Sequence, residues 1–112
     1  MAIRYTSSFN AIPFSDTDAQ FHLTANTAEP YTVPGDASMK FILTFGFPSS
    51  SNLFVGYNVV AVVPAANSVT TIQGIEFVTP YEQRYAVGGD VISLVTPDVN
   101  VYGGISVRSI PG

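Results

Sequence analysis

At 112 residues the chain has the size of one domain built on one hydrophobic core, and without cysteine it can form neither a disulfide framework nor a thiolate metal site. Only 11% of its residues are charged, against roughly 25% in an ordinary soluble domain. With four basic residues (Arg4, Lys40, Arg84 and Arg108) and a net charge of −4, the chain has little to neutralise a run of phosphates, so direct nucleic-acid binding is not expected.

Val, Ile, Thr, Phe and Tyr dominate, and no stretch repeats apolar residues at i, i+3, i+4 and i+7, so essentially no helix beyond a turn is predicted. Residues 1–15 read as an N-terminal arm or a first strand, Ile3 to Phe9, and residues 16–112 as one β-sandwich domain. The opening Met1-Ala2-Ile3-Arg4 lacks the apolar core of a signal peptide, and no apolar run approaches the ~20 residues of a membrane span. A protein made in the cytoplasm, with no membrane partner, is expected.

Strands follow at Gln20 to Thr24 and Tyr31 to Val33, and Val33-Pro34-Gly35-Asp36 fits a type II turn. From Met39 to Phe47 the alternation is strict, which places Met39, Phe41, Leu43, Phe45 and Phe47 on one core-facing side. Pro48 ends that strand and Ser49 to Asn52 makes a polar loop. Leu53 to Val63 is apolar on both faces, the pattern of a strand covered by its own core and by a neighbour. Further strands are expected at Val69 to Ile72, Ile75 to Val78, Arg84 to Val87 and Val91 to Val95. The last two would be joined as a tight hairpin by Gly88-Gly89-Asp90, and Val99 to Ile110 would be interrupted at Gly103-Gly104. Eight or nine short strands are best satisfied by two antiparallel sheets packed face to face, a jelly-roll-like sandwich.

Catalytic patterns are weak. His22 is the only histidine; alternation turns it outward between Phe21 and Leu23, and no Gly-x-Ser-x-Gly elbow accompanies it. Asp16 and Asp18 lack the further oxygen ligands a hard cation needs. Glu76 and Glu82 could pair as glycosidase carboxylates, but no cleft-forming insertion surrounds them. No enzyme activity, metal or cofactor is expected. Tyr81-Glu82-Gln83-Arg84-Tyr85 mixes aromatic and polar groups in the way a sugar-binding patch does.

The charge deficit favours assembly. Mass scaling gives a surface of about 6,000 Å², hence roughly one charge per 500 Å², near the largest apolar patch a monomer tolerates. Phe41 to Ile75 carries no Asp, Glu, Lys, Arg or His, which marks it as a contact surface. Self-association into a symmetric oligomer such as a trimer is expected from it. The candidate partner contacts are Ile3, Tyr5, Phe9, Ile12 and Phe14 in the arm and Ser50, Asn52 and Phe54 around the loop. With Arg4 the sole charge before Asp16, binding through the arm should depend on apolar burial and only weakly on salt.

Several ordered pieces, Leu23-Thr24-Ala25-Asn26-Thr27-Ala28, Tyr31-Thr32-Val33-Pro34, Phe54-Val55-Gly56-Tyr57, Val63-Pro64-Ala65, Tyr85 to Val95 and Val99-Asn100-Val101, together resemble small virion structural proteins of tailed bacteriophages. That class includes capsid decoration or cement proteins and related tail and collar components. The resemblance covers roughly residues 20 to 110, and the region before Asp16 departs from it. It rests on turns and strands and transfers no site residue. What it implies is a non-enzymatic protein of the virion that binds and stabilises the outside of a phage head, with the major capsid protein or another virion protein as partner. The alternatives are a tail, baseplate or collar component, or a carbohydrate- or receptor-binding sandwich.

Overall fold

The computed structural model describes residues 17–65, 67, 69 and 73–110. Within them the chain forms eight strands: β1 Thr17–Leu23, β2 Glu29–Thr32, β3 Lys40–Gly46, β4 Leu53–Tyr57, β5 Ile75–Val78, β6 Gln83–Val87, β7 Val91–Val95 and β8 Val101–Ser109. Pairing is nested: β1 with β8, β2 with β7, β3 with β6 and β4 with β5, all antiparallel. A ribbon of such pairs rolls up when β8 also joins β3 and β7 joins β4, and the result is two four-stranded sheets, β1-β8-β3-β6 and β2-β7-β4-β5. This is the jelly-roll order of an antiparallel β-sandwich.

The core lies where the alternating faces meet. Phe41, Leu43 and Phe45 of β3, Ile105 and Val107 of β8, Leu53 and Val55 of β4 and Ile92 and Leu94 of β7 are all buried in it. The strict alternation of β3 is therefore its inward face, with one exception. Met39 precedes the first paired residue, Lys40, and is 47% exposed.

Four other expectations need correction. The Val87–Asp90 turn forms, with the Asp90 N–H donating to the Val87 carbonyl, yet β6 and β7 do not pair; they lie in different sheets. Its free groups go to the Val33–Met39 loop, Gly88 N–H to the Met39 carbonyl and Gly89 N–H to the Val33 carbonyl, so the turn is a corner between layers. At the other end of the chain, β8 runs unbroken through Gly103 and Gly104. Gly103 faces inward, where a Cβ would stand 2.3 Å from the Gly46 carbonyl oxygen and 2.6 Å from the Phe21 ring, so glycine lets β1, β8 and β3 pack closely.

The third correction concerns Leu53 to Val63, whose strand ends at Tyr57. Asn58 takes a left-handed conformation, φ 56°, which asparagine tolerates. The chain then folds back over the outer side of its own sheet. The Ala61 N–H donates to Ser93 Oγ at 2.9 Å, and a Cβ on Gly56 would collide with the Val59 carbonyl oxygen at 2.4 Å. Ala61 within this cover and Val95 on the outer face of β7 are buried, although neither belongs to the main core. The second apolar face of the segment is thus met by the chain itself. Fourth, Val69 stands 99% exposed and outside any strand, while Thr70 to Ile72, like the strand expected at Ile3 to Phe9, lie outside the described residues.

Candidate functional site

The two open sides of the sandwich differ. On one side the edge strands β5 and β6 face each other across the layers. Register places Glu76 opposite core-facing Val55, and Arg84 opposite core-facing Leu43, so both charges point inward at the rim. Arg84 grips Glu76 with two bonds, Nε to Oε2 at 3.0 Å and Nη2 to Oε1 at 2.9 Å, and reaches Glu82 Oε1 at 3.4 Å. Glu82 also accepts the Thr79 N–H at 2.6 Å. Hydrogen bonding to Arg84 holds the Glu76 carboxyl below its ordinary range, and the Thr79 N–H does the same for Glu82. Two carboxylates held by one guanidinium form a latch between the layers, which gives neither the raised acid nor the free nucleophile of a glycosidase. Behind it lies a cavity of about 280 Å³, walled by Leu43, Phe45, Val55 and Ile92.

On the opposite side, β1 and β2 flank a cleft of about 250 Å³ lined by Phe21, Leu23, Tyr31, Leu94 and Ile105, and among the described residues no ion pair crosses it. His22 does face outward, as alternation predicts. It stacks on Tyr102 with ring centres 4.1 Å apart and donates through Nε2 to Asn100 Oδ1 at 3.0 Å. Asp18 is engaged by the Gln20 amide, and Asp16 lies outside the described residues. Among the described residues no group of three or more His, Cys, Asp or Glu is placed to hold a metal ion, and no helix is long and apolar enough to cross a membrane.

Of the candidate contacts, Ile3, Tyr5, Phe9, Ile12 and Phe14 lie outside the described residues. Ser50 and Asn52 are exposed in the β3–β4 loop. That loop is tied down: the Asn52 N–H donates to Asp98 and its carbonyl accepts the Thr96 hydroxyl, each at 2.6 Å. Phe54 is half-buried on the outer face of the second sheet, edge-on to Phe77 at 5.3 Å. The same side exposes Val59, Val60, Val62, Phe77 and Val91, with Val60 72% accessible. Beside β2, a shallow depression runs between Pro30, Val59, Val60 and Val91. These residues escape a reading of strands alone. The available signal was length: a run of eleven residues, Leu53 to Val63, exceeds the usual five or six of a strand, and the polar Asn58 sits inside it.

The outer face of the first sheet is different. Tyr81, Tyr85 and Tyr102 are exposed there, and Gly46 and Gly104 pair at its centre. No protein-family model, curated protein or solved structure matches the chain.

Proposed function

We propose that this protein is a non-enzymatic structural component of a phage virion that decorates the outside of the head and stabilises it by bridging shell subunits. The observation that carries the reading is the apolar side of the second sheet. Val59, Val60 and Val62 stand in water there, within a stretch whose first charge after Lys40 is Glu76, and Phe77 follows directly after it. Exposing several large apolar groups on one face of a small jelly roll is unfavourable unless a partner covers them. Burial against a shell subunit would supply the affinity, and the jelly roll itself is an architecture used in viral capsids.

The test is occupancy on the particle. A cement protein is expected to co-purify in high stoichiometry with the major shell protein, whereas a tail or collar component would appear at low copy. Val60→Asp with Val62→Asp should lower occupancy at least about tenfold, since two valine burials are lost, without altering the melting temperature. Deleting Met1 to Asn10 should likewise abolish attachment and leave the sandwich folded. Full occupancy by either variant would rule out the surface it removes.

A second reading, glycan or receptor binding, is favoured by the other face. Tyr81 and Tyr102 flank outward-facing Gly46 and Gly104, and a Cβ on Gly46 would meet nothing closer than 3.7 Å, so packing does not require that glycine. Open backbone at Gly46 beside exposed tyrosines, with the Asp18 and Gln20 side chains lying over Gly104, suits a flat sugar ring. Saturable glycan binding by the free protein, lost in Tyr102→Ala, would favour this reading over decoration.

A further inference from the structure

The four sheet edges are unequally protected against pairing with another chain. β2 is four residues long and includes Pro30, which has no N–H to offer. β5 is equally short and turns Glu76 inward, and β6 turns Arg84 inward, devices that discourage strand addition. β1 has none of these. It is seven residues long, without proline, glycine or lysine, and its inward residues Ala19, Phe21 and Leu23 all pack on the core. Among the described residues nothing pairs with its outer edge.

We infer that β1 is a homodimerisation edge, on which a second copy of this chain adds its own β1 antiparallel about a two-fold axis at Gln20. The register that uses all seven residues sets Asp18 opposite the partner's His22 on the outer face, and does so twice by symmetry. On the inner face it sets Ala19 opposite the partner's Phe21, a small residue against a large one. A carboxylate against an imidazole and a small side chain against a large one therefore fall in the same register. The added strand also continues the inner layer of the first sheet beside the open β1–β2 cleft. Joining the two four-stranded sheets gives one continuous sheet across the dimer and removes both exposed β1 edges. This replaces the trimer as the self-associated form, and it does not depend on attachment to a shell.

Sedimentation equilibrium of the full-length chain is the test, together with amide exchange across β1. A dimer is expected, with β1 amides that become more protected as concentration rises. Asp18→Lys should weaken it about tenfold by placing a cation opposite each of two histidines, and His22→Asp should do so by opposing two carboxylates. Both positions are exposed, so the fold should survive. The double variant Asp18→Lys with His22→Asp sets a lysine opposite the partner's aspartate at both positions and should recover affinity to within about threefold of the original. A monomer up to millimolar concentration overturns the inference. So does a dimer indifferent to both single changes, or one that the double variant fails to restore. Concentration-independent protection of β1, as its own N-terminal segment or another strand of the same chain would produce, overturns it equally.

Discussion

Replacing Phe45 by alanine is expected to cost about 3–5 kcal/mol of unfolding free energy, the range for truncating a large core aromatic. Phe45 is fully buried near the end of β3, opposite Ile105 of β8. It also lines the cavity behind the Arg84–Glu76 latch, so truncation would enlarge a space that already exists. Its backbone is occupied as well: the Phe45 N–H donates to the Glu82 carbonyl, and its carbonyl accepts the Tyr81 N–H. Those bonds hold β3 in place and leave the surroundings little freedom to collapse into the void, which moves the cost toward the upper part of the range. For a domain whose total stability is of the order of 5–15 kcal/mol, the variant should be close to unfolding at ambient temperature. Urea titration checks this. An unfolding free energy lowered by less than about 1 kcal/mol would mean that the cavity side of the core is not its packed centre.

Strands were legible in the sequence because a period of two needs no knowledge of partners. Ile75–Val78 and Val91–Val95 occupy the expected residues, and Phe41, Leu43 and Phe45 face the core as alternation requires. What could not be read was which strands meet. Gly88-Gly89-Asp90 reverses the chain locally, as its residues dictate, but the groups that bind its backbone belong to Val33 and Met39, some fifty residues away. Gly103-Gly104 reads as a break in isolation, and only the approach of Phe21 and Gly46 from the flanking strands explains it as continuous strand. The candidate surfaces follow the same division. His22 outward was a local inference and agrees with the structure, whereas the apolar face around Val60 depends on a reversal at Asn58 that alternation cannot signal. The latch was visible as three charged residues, but not as one unit, because Glu76 and Arg84 belong to different sheets.

Asp90 reads as an ordinary turn residue and is a structural centre, so Asp90→Ala is expected to cost about 2–4 kcal/mol through stranded hydrogen-bond partners. The residue is buried. Its Oδ2 accepts the Tyr57 hydroxyl at 2.9 Å and the Val87 N–H at 3.0 Å, and its Oδ1 accepts the Asn58 amide at 3.2 Å. Its carbonyl takes the Val33 N–H at 2.8 Å. One side chain thereby joins the β6–β7 corner to the end of β4 and to Asn58, where the cover over the second sheet begins. Burial pushes the Asp90 carboxyl up, but the hydrogen bonds from Val87, Tyr57 and Asn58 together outweigh it and hold the group below the ordinary aspartate value. A depressed value in the folded state means that the unfolded chain takes up the proton first as pH falls. The stabilisation is therefore complete above about pH 4, the unfolded aspartate value, and is lost as pH drops through the lower folded one. Glu76, held by Arg84, contributes in the same direction, and less, because that pair is exposed to solvent. Unfolding free energies measured between pH 7 and pH 2.5 should fall on the acid side for the natural chain and fall less for Asp90→Asn, which has no proton to gain. Parallel acid limbs for the two proteins would show that the carboxylate is not what ties the corner to Asn58.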